Sequence, residues 1–330
     1  MNIIKNLSSY KDNFVTVHQG SEQPEISVVM PVYNCEEFVA EAITSVLKQE
    51  GVAVEILISD DASTDNTFAV AYQTVVDYIS KSELKHTILM RVGTSRLVRD
   101  HLHLMAEKTS CDLVCQSHGD DISHRLRCAV LVKAFNEQAK NASMILVNAS
   151  LIDHQGKILL EPKNSSLSNI SIKPMEYEKI LKAQDDILIG SNMAWRKSSL
   201  KHFPELTTSY CAYGHDRVMT FRSFLSGGCY FVDVPLVKRR HHTNQLHREL
   251  LSFDHKFVNS FNAQIIRITF FTAMMNDLIS LKEKNLIEED EYNLHSKNIN
   301  YLIIQAARFL SIATCNLVSD KYVNKWIKSS

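Results

Sequence analysis

The chain has 330 residues, of which 45% are hydrophobic and 22% are charged. This composition is typical of a folded globular protein and excludes the disordered and fibrous classes, and the length favours one main domain with a smaller one attached. Lysine and arginine number 36 against 37 aspartate and glutamate residues, which leaves a formal net charge of -1. A chain without net positive charge is not predicted to bind nucleic acid.

Cysteine usage and apolar runs bear on the compartment. Seven cysteines are scattered without a CxxC pair, which favours free thiols in a reducing compartment. Cys111 and Cys115 could bind a metal from one helical face, but no second Cys/His pair stands at zinc-site spacing. Residues 1–24 form a polar lead without the apolar segment of a signal peptide, and no apolar run approaches the ~20 residues of a membrane span. We expect a cytoplasmic protein that at most rests peripherally on the inner face of the cell membrane.

Strand and helix patterns alternate after the lead. The segment ISVVMPVYN predicts a strand ended by Pro31 and Asn34, EEFVAEAITSVLKQ predicts a helix, VEILISD a second strand and TDNTFAVAYQTVVDYIS a second helix. Further strands are predicted at HTILMRV, DLVCQS and SMILVNASLI, with helices at SRLVRDHLHLMAEK and RLRCAVLVKAFNEQAK between them. This alternation predicts an α/β fold with a parallel sheet covered by helices on both faces.

Long helical patterns dominate from about residue 250 onward. We therefore predict a main domain over residues 25–250 and a helical C-terminal module over residues 251–330. In the tail DKYVNKWIKSS, lysines surround Tyr322, Trp326 and other apolar residues, a composition that suits an anionic membrane surface. Packing of this helix on its own domain, or on a second subunit in a homodimer, explains the pattern equally well.

Polar clusters stand at four points of the chain: PVYN at 31–34, SDDAST at 59–64, SHGDD at 117–121 and YGHDR at 213–217. In an open α/β sheet, ligands bind beyond the carboxyl ends of the strands. With the helix segment EAITSVLKQ and the basic segment KRRHHTNQ, these clusters and their order resemble the family-2 nucleotide-sugar glycosyltransferases, over about residues 25–247. The resemblance implies a GT-A fold, which is Rossmann-like, with a mixed, mainly parallel sheet flanked by helices.

The stretch DDAST resembles the part of the family's site that holds the nucleotide base. The resemblance implies that Asp61 accepts the imide N–H of a uracil or thymine ring, a role that suits a carboxylate. A turn or N-cap aspartate is the alternative. The resemblance also places Pro31 and Tyr33 against the base, although Tyr33 could simply pack. Asp60 is expected to be a structural residue at the strand end, and Asp65 a helix cap.

The stretch HGDD resembles the family's DXD-like signature, which holds a divalent ion beside the donor diphosphate. It implies that Asp121 ligates Mn²⁺ or Mg²⁺, with Asp120 near the ribose or the sugar, because such hard cations bind carboxylate oxygens. His118 and Gly119 stand where the commoner form of the signature has an acidic or small residue. An acidic surface turn is the alternative.

Two basic segments also match the family. GTSRLVRDH resembles its donor-lining segment, which makes Arg99 the matched arginine, although Arg99 could instead pair with Asp100 on a helix face. KRRHHTNQ stands where the family has a flexible segment that closes over the diphosphate. Arg240 is then a phosphate contact and His242 a further metal ligand. A basic loop without a ligand is the alternative.

The stretch GHDRVMTFR resembles the family's catalytic motif. The second residue of that motif's acidic pair matches Asp216, which would take the proton of the acceptor hydroxyl, and an N-cap is the alternative or an additional role. His215 matches the first residue of the pair, which is often acidic. IGSNMAWRKSSL resembles the acceptor-side strand, with Asn192 and Trp195 as sugar contacts. A core position is equally open for Trp195.

The matches together imply an inverting, metal-dependent glycosyltransferase. It would move a single hexose or N-acetylhexosamine from a nucleotide-diphosphate sugar, such as a UDP-sugar, to a hydroxyl of a growing glycan. Bacterial lipopolysaccharide, capsule or another surface glycan is the implied product, and a glycan or lipid-linked glycan the acceptor. QLHRE at 245–249 lacks the tryptophan of the processive synthases' pattern, which favours one transfer per encounter.

Two rival functions are open to the same sequence. An NAD(P)-dependent oxidoreductase is disfavoured because no GxGxxG follows the first strand. A non-catalytic relative that only binds nucleotide or glycan is disfavoured by the joint presence of Asp61, Asp121 and Asp216.

Overall fold

The computed structural model describes residues 7–97, 100–167, 170–177, 189–207, 209–211, 214–242 and 256–327, with the backbone alone for residue 7 and for 256–263 and 312–327. The described residues form two compact units. The first extends to Lys201 and resumes over Met219–His241, and the second comprises His202–Val218 and the chain from His242 onward. No helix among these residues combines the length and the hydropathy that a membrane crossing requires.

One mixed sheet organises the first unit, and the parallel strands at its centre position the site. Its strand order is β1-β4-β3-β2-β5-β10-β7-β11-β6, with β8 paired to β7 and β9 paired to β11. The strands are β1 (Val15–His18), β2 (Ile26–Val32), β3 (Val54–Asp60), β4 (Thr87–Val92), β5 (Leu113–Gln116), β6 (Ile122–Ser123), β7 (Met144–Ile152), β8 (Ile158–Leu160), β9 (Ile172–Pro174), β10 (Met193–Arg196) and β11 (Cys229–Arg240).

The four strands β4, β3, β2 and β5 run parallel. Their register aligns Val32 with Asp60 and Asp60 with Val92, so these strands end at one edge of the sheet. β2 lies between β3 and β5 in the sheet. The chain passes from β2 to β3 on one side, and β5 is added later on the other side of β2. A reversal of strand order at this point opens the crevice where α/β sheets bind ligands.

Helices cover the sheet, as the alternating pattern predicts. The helix over residues 39–47 buries Val39, Ala42, Ile43, Val46 and Leu47, the spacing of one helical face. The segment RLRCAVLVKAFNEQAK, predicted as one helix, is an α-helix that continues as a π-helical turn over 134–138. The helices are α1 (Leu7–Tyr10), α2 (Val39–Leu47), α3 (Thr67–Ile79), α4 (Asp100–Lys108), α5 (Arg127–Lys133), α6 (His215–Gly227), α7 (Lys256–Glu283) and α8 (Glu289–Ile327).

Continuous apolar strands explain the core. Every residue of β3 is buried, and so are all but one of β2, which fits central parallel strands covered on both faces. Free buried thiols are confirmed for the described cysteines, which are Cys35, Cys111, Cys115, Cys128, Cys211 and Cys229.

The polar lead contributes to the sheet, which the sequence did not predict. β1 pairs antiparallel with β4, with Val15 opposite Met90, and so becomes the edge strand next to the parallel core. Asp12 follows α1 and accepts a hydrogen bond of 2.8 Å from the Arg91 guanidinium. The lead therefore protects the edge of the sheet beside the site.

Helices dominate the C-terminal part of the second unit, as predicted. α7 and α8 pack on each other, and Phe270, Met274, Leu278 and Ile299 are among their buried residues. The Tyr210 hydroxyl donates a bond of 2.6 Å to the Asp277 carboxylate within this unit. The side chains of the lysine-rich tail lie outside the described residues, so its membrane or subunit contact stays a prediction.

Candidate active site

The loops that follow β2 and β3 are locked to each other. Asn34 Oδ1 accepts the backbone N–H of Thr64 at 2.9 Å, and the Ser63 hydroxyl accepts the N–H of Asn34 at 2.9 Å. Asn34 and Ala62 have positive φ angles of 44° and 61°. Left-handed conformations in residues other than glycine carry strain and concentrate at functional sites. The strain here lies at the two strand ends where the sequence predicts the base site.

Asp61 is buried at this edge and held by several donors. Its Oδ1 accepts the backbone N–H of Leu97 at 2.7 Å, and its Oδ2 lies 3.6 Å from Nε of Arg96. His101 Nδ1 lies 3.8 Å from Asp61 Oδ1. The carboxylate is therefore oriented by a backbone donor and a cation, with its charge compensated inside the protein.

Arg96 covers the ring of Tyr33, which the sequence did not predict. The guanidinium carbon lies 3.4 Å from the Tyr33 ring centroid, a close cation–π contact. A base that stacked on this ring and bonded to Asp61 would need the space that Arg96 fills. Arg99, the arginine assigned to the donor, lies outside the described residues.

His101 is a buried histidine beside Asp61. Its Nε2 bonds the Ser59 hydroxyl at 2.6 Å. The pKa of His101 is lowered to about 4, chiefly by burial and also by the charges of Arg91 and Arg96, against the opposing effect of Asp61. A neutral imidazole therefore lies next to Asp61 at neutral pH.

Asp60 and Asp65 have the structural roles that the sequence suggests. Asp60 ends β3, and its Oδ1 accepts the N–H of Ser63 at 2.8 Å, while burial raises its pKa. Asp65 Oδ1 accepts the N–H of Thr67, the first residue of α3, at 2.9 Å. The two carboxylates shape the turn that presents Asp61.

His118, Asp120 and Asp121 form a candidate metal site beyond β5. One ligand atom from each side chain lies within 4.8 Å of the other two. Asp121 is buried, which together with the charge of Asp120 raises its pKa. Two carboxylates and an imidazole are a donor set that fits Mn²⁺, while Mg²⁺ would rely on the carboxylates. His118, which departs from the family's usual signature, is thus the third member of the cluster.

Close packing fixes the loop that carries this cluster. A Cβ added at Gly119 would lie 2.6 Å from Cys35 Sγ and 2.9 Å from Val32, so only glycine fits. The Arg127 guanidinium is buried and donates to the carbonyls of Gln116 at 2.9 Å and Ser191 at 2.6 Å. Packing at Gly119 and the Arg127 bonds at the end of β5 therefore fix the start of the acidic loop.

Arg240 supports the acidic loop from behind. Its side chain is 2% exposed and donates to Glu41 Oε2 at 2.5 Å, the carbonyl of Asp120 at 3.1 Å and the carbonyl of His154 at 2.8 Å. Its backbone N–H donates to Asp121 Oδ1 at 2.9 Å. The sequence predicts a flexible cation over the diphosphate at this position, whereas the guanidinium is buried and bonded within the chain, and the donor role of Arg240 stays a prediction.

The two predicted acceptor contacts differ. Asn192 is buried directly before β10, and its Oδ1 has no hydrogen-bond partner among the described residues. Trp195 lies within β10 between β5 and β7, is 2% exposed and packs in the core with Val114 and Met144. For Trp195 this burial favours the core position that the sequence left open, since a buried ring has almost no surface to offer a sugar.

Asp216 and His242 belong to the second unit. Asp216 lies in the first turn of α6, where a carboxylate is favoured by the helix dipole, and His215 before it bonds the carbonyl of Cys211 at 2.6 Å. The N-terminal position of Asp216 fits a helix-capping role and a catalytic one alike. Its assignment as the base and that of His242 as a ligand stay predictions, and QLHRE lies outside the described residues.

Comparison with known proteins identifies relatives of this chain. The family described as Glycosyl transferase family 2 matches residues 27–203, slightly more than half of the chain. EpsE, a candidate glycosyltransferase of Bacillus subtilis, is 32% identical over 133 residues, which are 40% of this chain and 46% of EpsE. The dTDP-rhamnosyl transferase RfbG of Shigella flexneri is 30% identical over 100 residues, 29% of this chain and 33% of RfbG. The chain thus spans about half or less of these curated relatives.

Solved structures share the fold. The S. aureus TarS fragment 1-349 superposes with a TM-score of 0.51 at 14% identity, covering 87% of this chain and 90% of the fragment. The mannosyltransferase PcManGT of Pyrobaculum calidifontis superposes with a TM-score of 0.51 at 13% identity, covering 92% and 81%. At these identities the likeness concerns the fold alone, and it supports the GT-A architecture.

Proposed function

Because the chain belongs to glycosyltransferase family 2, we propose that it transfers a single sugar from a nucleotide-diphosphate sugar to a hydroxyl of a growing surface glycan, with inversion at the anomeric carbon. A UDP-sugar is the proposed donor, and a lipid-linked glycan the proposed acceptor. RfbG bears the name of a dTDP-rhamnosyl transferase, and WfgD of Escherichia coli, 48% identical over 42 residues, 13% of this chain and 17% of WfgD, that of a glucosyltransferase acting on a diphosphoundecaprenol-linked sugar. These names support the choice of donor and acceptor classes.

The observation that carries the proposal is the pair of acidic sites at one edge of the parallel strands. Tyr33 and Asp61 follow β2 and β3, while His118, Asp120 and Asp121 follow β5, on the other side of β2. An aromatic ring and a carboxylate suit a nucleobase. A cluster with two carboxylates suits a diphosphate that carries a divalent cation.

The proposed roles follow from these positions. Asp61 accepts the imide N–H of the base, and Tyr33 supports its ring. Asp121, with His118 and Asp120, would hold Mn²⁺ or Mg²⁺, which supplies positive charge to the leaving diphosphate when bound. Arg240 and Arg127 keep that loop in place.

Asp216 is the proposed general base. It takes the proton from the acceptor hydroxyl as the oxygen attacks the anomeric carbon opposite the nucleotide, so the C–O bond to the diphosphate breaks while the new one forms. Attack from the opposite side inverts the anomeric configuration. Asn192, with an unbonded carbonyl oxygen, is the proposed contact for the acceptor.

Turnover and binding are tested separately. Full-length protein is incubated with labelled UDP-, dTDP- and GDP-sugars, with and without Mn²⁺, and hydrolysis or transfer is measured alongside nucleotide binding by calorimetry. We expect release of labelled sugar in the presence of Mn²⁺. Binding of every nucleotide tested without any turnover would favour the non-catalytic relative.

The Asp216→Asn variant tests the base with a nearly isosteric residue. We expect kcat to fall about 10²–10⁴-fold, with donor affinity retained, because asparagine cannot take up the proton. Asparagine also caps helices well, so stability should change by about 1 kcal/mol or less. A kcat close to the wild-type value would remove Asp216 from the mechanism.

A further inference from the structure

Three consecutive apolar residues of β8 are exposed to solvent. Ile158, Leu159 and Leu160 are 49%, 54% and 66% exposed. Successive side chains of a strand point to opposite faces, so exposure of three in a row leaves both faces of β8 uncovered. Lone exposed leucines are ordinary, but a contiguous apolar group of this kind marks an interaction surface. We call residues 157–163, with the sequence KILLEPK, the hairpin arm.

The hairpin arm is poorly suited to pairing with another strand. β8 has three residues and pairs with β7 among the described residues. Pro162 cannot donate a backbone hydrogen bond, and lysines flank the strand at 157 and 163. A short strand with proline and lysine nearby is a device that opposes edge-to-edge addition. The exposed side chains, rather than the backbone edge, are therefore the binding feature.

The composition of the hairpin arm fits an anionic lipid surface. Two exposed lysines and one exposed glutamate surround the apolar residues, which gives the arm a net positive charge. Interfacial membrane segments have this pattern. Their apolar side chains enter the acyl region, and neighbouring lysines contact anionic headgroups. We propose that the hairpin arm inserts into the surface of an anionic lipid bilayer.

The turn that carries the hairpin arm is rigid and connected to the acidic loop. Asp153 Oδ1 accepts the N–H of Lys157 at 2.9 Å, and Gly156 has a φ of 85° that closes the turn. Arg240 donates to the carbonyl of His154 and also to the carbonyl of Asp120, so one buried guanidinium links the turn to the candidate metal cluster. Insertion of the arm would then hold that cluster near the bilayer. This last step rests on the proposed function, in which the acceptor is lipid-linked.

Flotation with vesicles tests the insertion without any substrate. Full-length protein is floated with vesicles of equal parts phosphatidylglycerol and phosphatidylcholine, as wild type and as the double variant Leu159→Ser/Leu160→Ser. The matched control is Leu286→Ser/Leu294→Ser, whose leucines are 49% and 57% exposed elsewhere in the chain. We expect at least a tenfold lower partition coefficient for the arm variant and a wild-type value for the control. Equal partition of arm variant and wild type, or equal loss in both variants, overturns the proposal.

A fluorescent reporter checks that the hairpin arm itself enters the lipid. Trp195 is buried, so Leu160→Trp in a Trp326→Phe background adds one exposed tryptophan. We expect its emission to shift to the blue and its quenching by acrylamide to fall when the vesicles are added. An unchanged spectrum overturns the insertion, whatever the transfer assay shows.

Self-association is the competing explanation of the exposed residues. Sedimentation of the wild type and the Leu159→Ser/Leu160→Ser variant without vesicles measures it. We expect the same oligomeric state for both. If the wild type is a dimer and the variant a monomer, the hairpin arm binds a second copy of the chain and the membrane proposal is wrong.

Discussion

Two acidic pairs stand at the same edge of the sheet, and their surroundings differ. Asp60 ends β3 and Asp61 follows it, and Asp61 receives a backbone N–H while Arg96 lies 3.6 Å away. Asp120 and Asp121 follow β5, where Asp121 receives the backbone N–H of Arg240 and has the imidazole of His118 at 3.6 Å. The permanent cation Arg96 thus lies beside Asp61, and the imidazole of His118 lies beside Asp121. Burial raises the pKa of one carboxyl group in each pair, Asp60 and Asp121.

This difference fits the proposal that the first pair binds a neutral ring and the second a cation. Burial and the charge of Asp120 raise the pKa of Asp121, which shows that the second pair is costly to keep ionised without added positive charge. The guanidinium of Arg240 is directed to Glu41 and to backbone carbonyls. A divalent ion bound there would add positive charge beside these carboxylates.

The largest expected effect is the loss of metal-dependent binding in Asp121→Ala. Removal of the buried carboxylate takes a ligand from the cluster, and we expect Mn²⁺-dependent affinity for UDP to fall by about a hundredfold or more. Titration calorimetry with UDP, with Mn²⁺ or with EDTA, measures it. The control is Asp77→Ala, which removes an exposed carboxylate on α3. Unchanged metal dependence would exclude Asp121 from the site.

Asp61→Ala should weaken UDP binding without changing its dependence on Mn²⁺. The loss of a charged hydrogen bond to the base should weaken UDP binding about tenfold to a hundredfold, both with Mn²⁺ and with EDTA. The ratio of the two affinities should match the wild type, because the second pair is intact. A loss of the Mn²⁺ effect instead would mean that the two pairs form one site with shared roles.

The His101→Gln variant tests the surroundings of the first pair through the pH dependence of stability. The pKa of His101 is lowered to about 4 in the folded state, so between pH 6.5 and 4 the unfolded chain binds a proton that the folded chain does not. The free energy of unfolding therefore falls with decreasing pH in this window, by up to about 1.4 kcal/mol per pH unit from this residue. Asp61, Arg91, Arg96 and Ser59 surround the ring and are kept in the variant. Urea unfolding at pH 7 and pH 5 should show a smaller difference for His101→Gln, and parallel pH dependences would contradict the assignment.

The sequence predicts the central strands and their acidic ends well, for a local reason. Apolar runs bounded by polar residues form the strands β2, β3, β4, β5 and β7. Asp60 and Asp65 accept hydrogen bonds from backbone N–H groups two or three residues away. Such features depend on neighbours in the chain. The edge strand β1 was not predicted, because its apolar pattern, VTVH, is too short to be distinguished from the polar lead.

Long-range contacts determine surroundings that the sequence alone does not reveal. Arg240 has the residue type and position of a phosphate contact, yet it meets Glu41, 199 residues away in the chain, inside the protein. Trp195 follows Asn192 by three residues but points into the core because β10 is inserted between β5 and β7. The stack of Arg96 on Tyr33 depends on how two loops meet. A signal for His118 was available, since a histidine three residues before Asp121 can reach the same ion.

The smallest expected effect concerns Arg96, the cation beside Asp61 in the first acidic pair. Its guanidinium must leave the Tyr33 ring before a base can stack there, and an exposed cation–π contact contributes about 0.5–1 kcal/mol. Arg96→Met keeps the apolar stem and removes the charge, so we expect UDP to bind about twofold to fivefold more tightly. Arg125→Met, at an exposed arginine paired with Glu50, is the matched control. Calorimetry in EDTA isolates this step from the metal. Weaker binding by Arg96→Met would instead mean that Arg96 stays in the site and contacts the bound nucleotide.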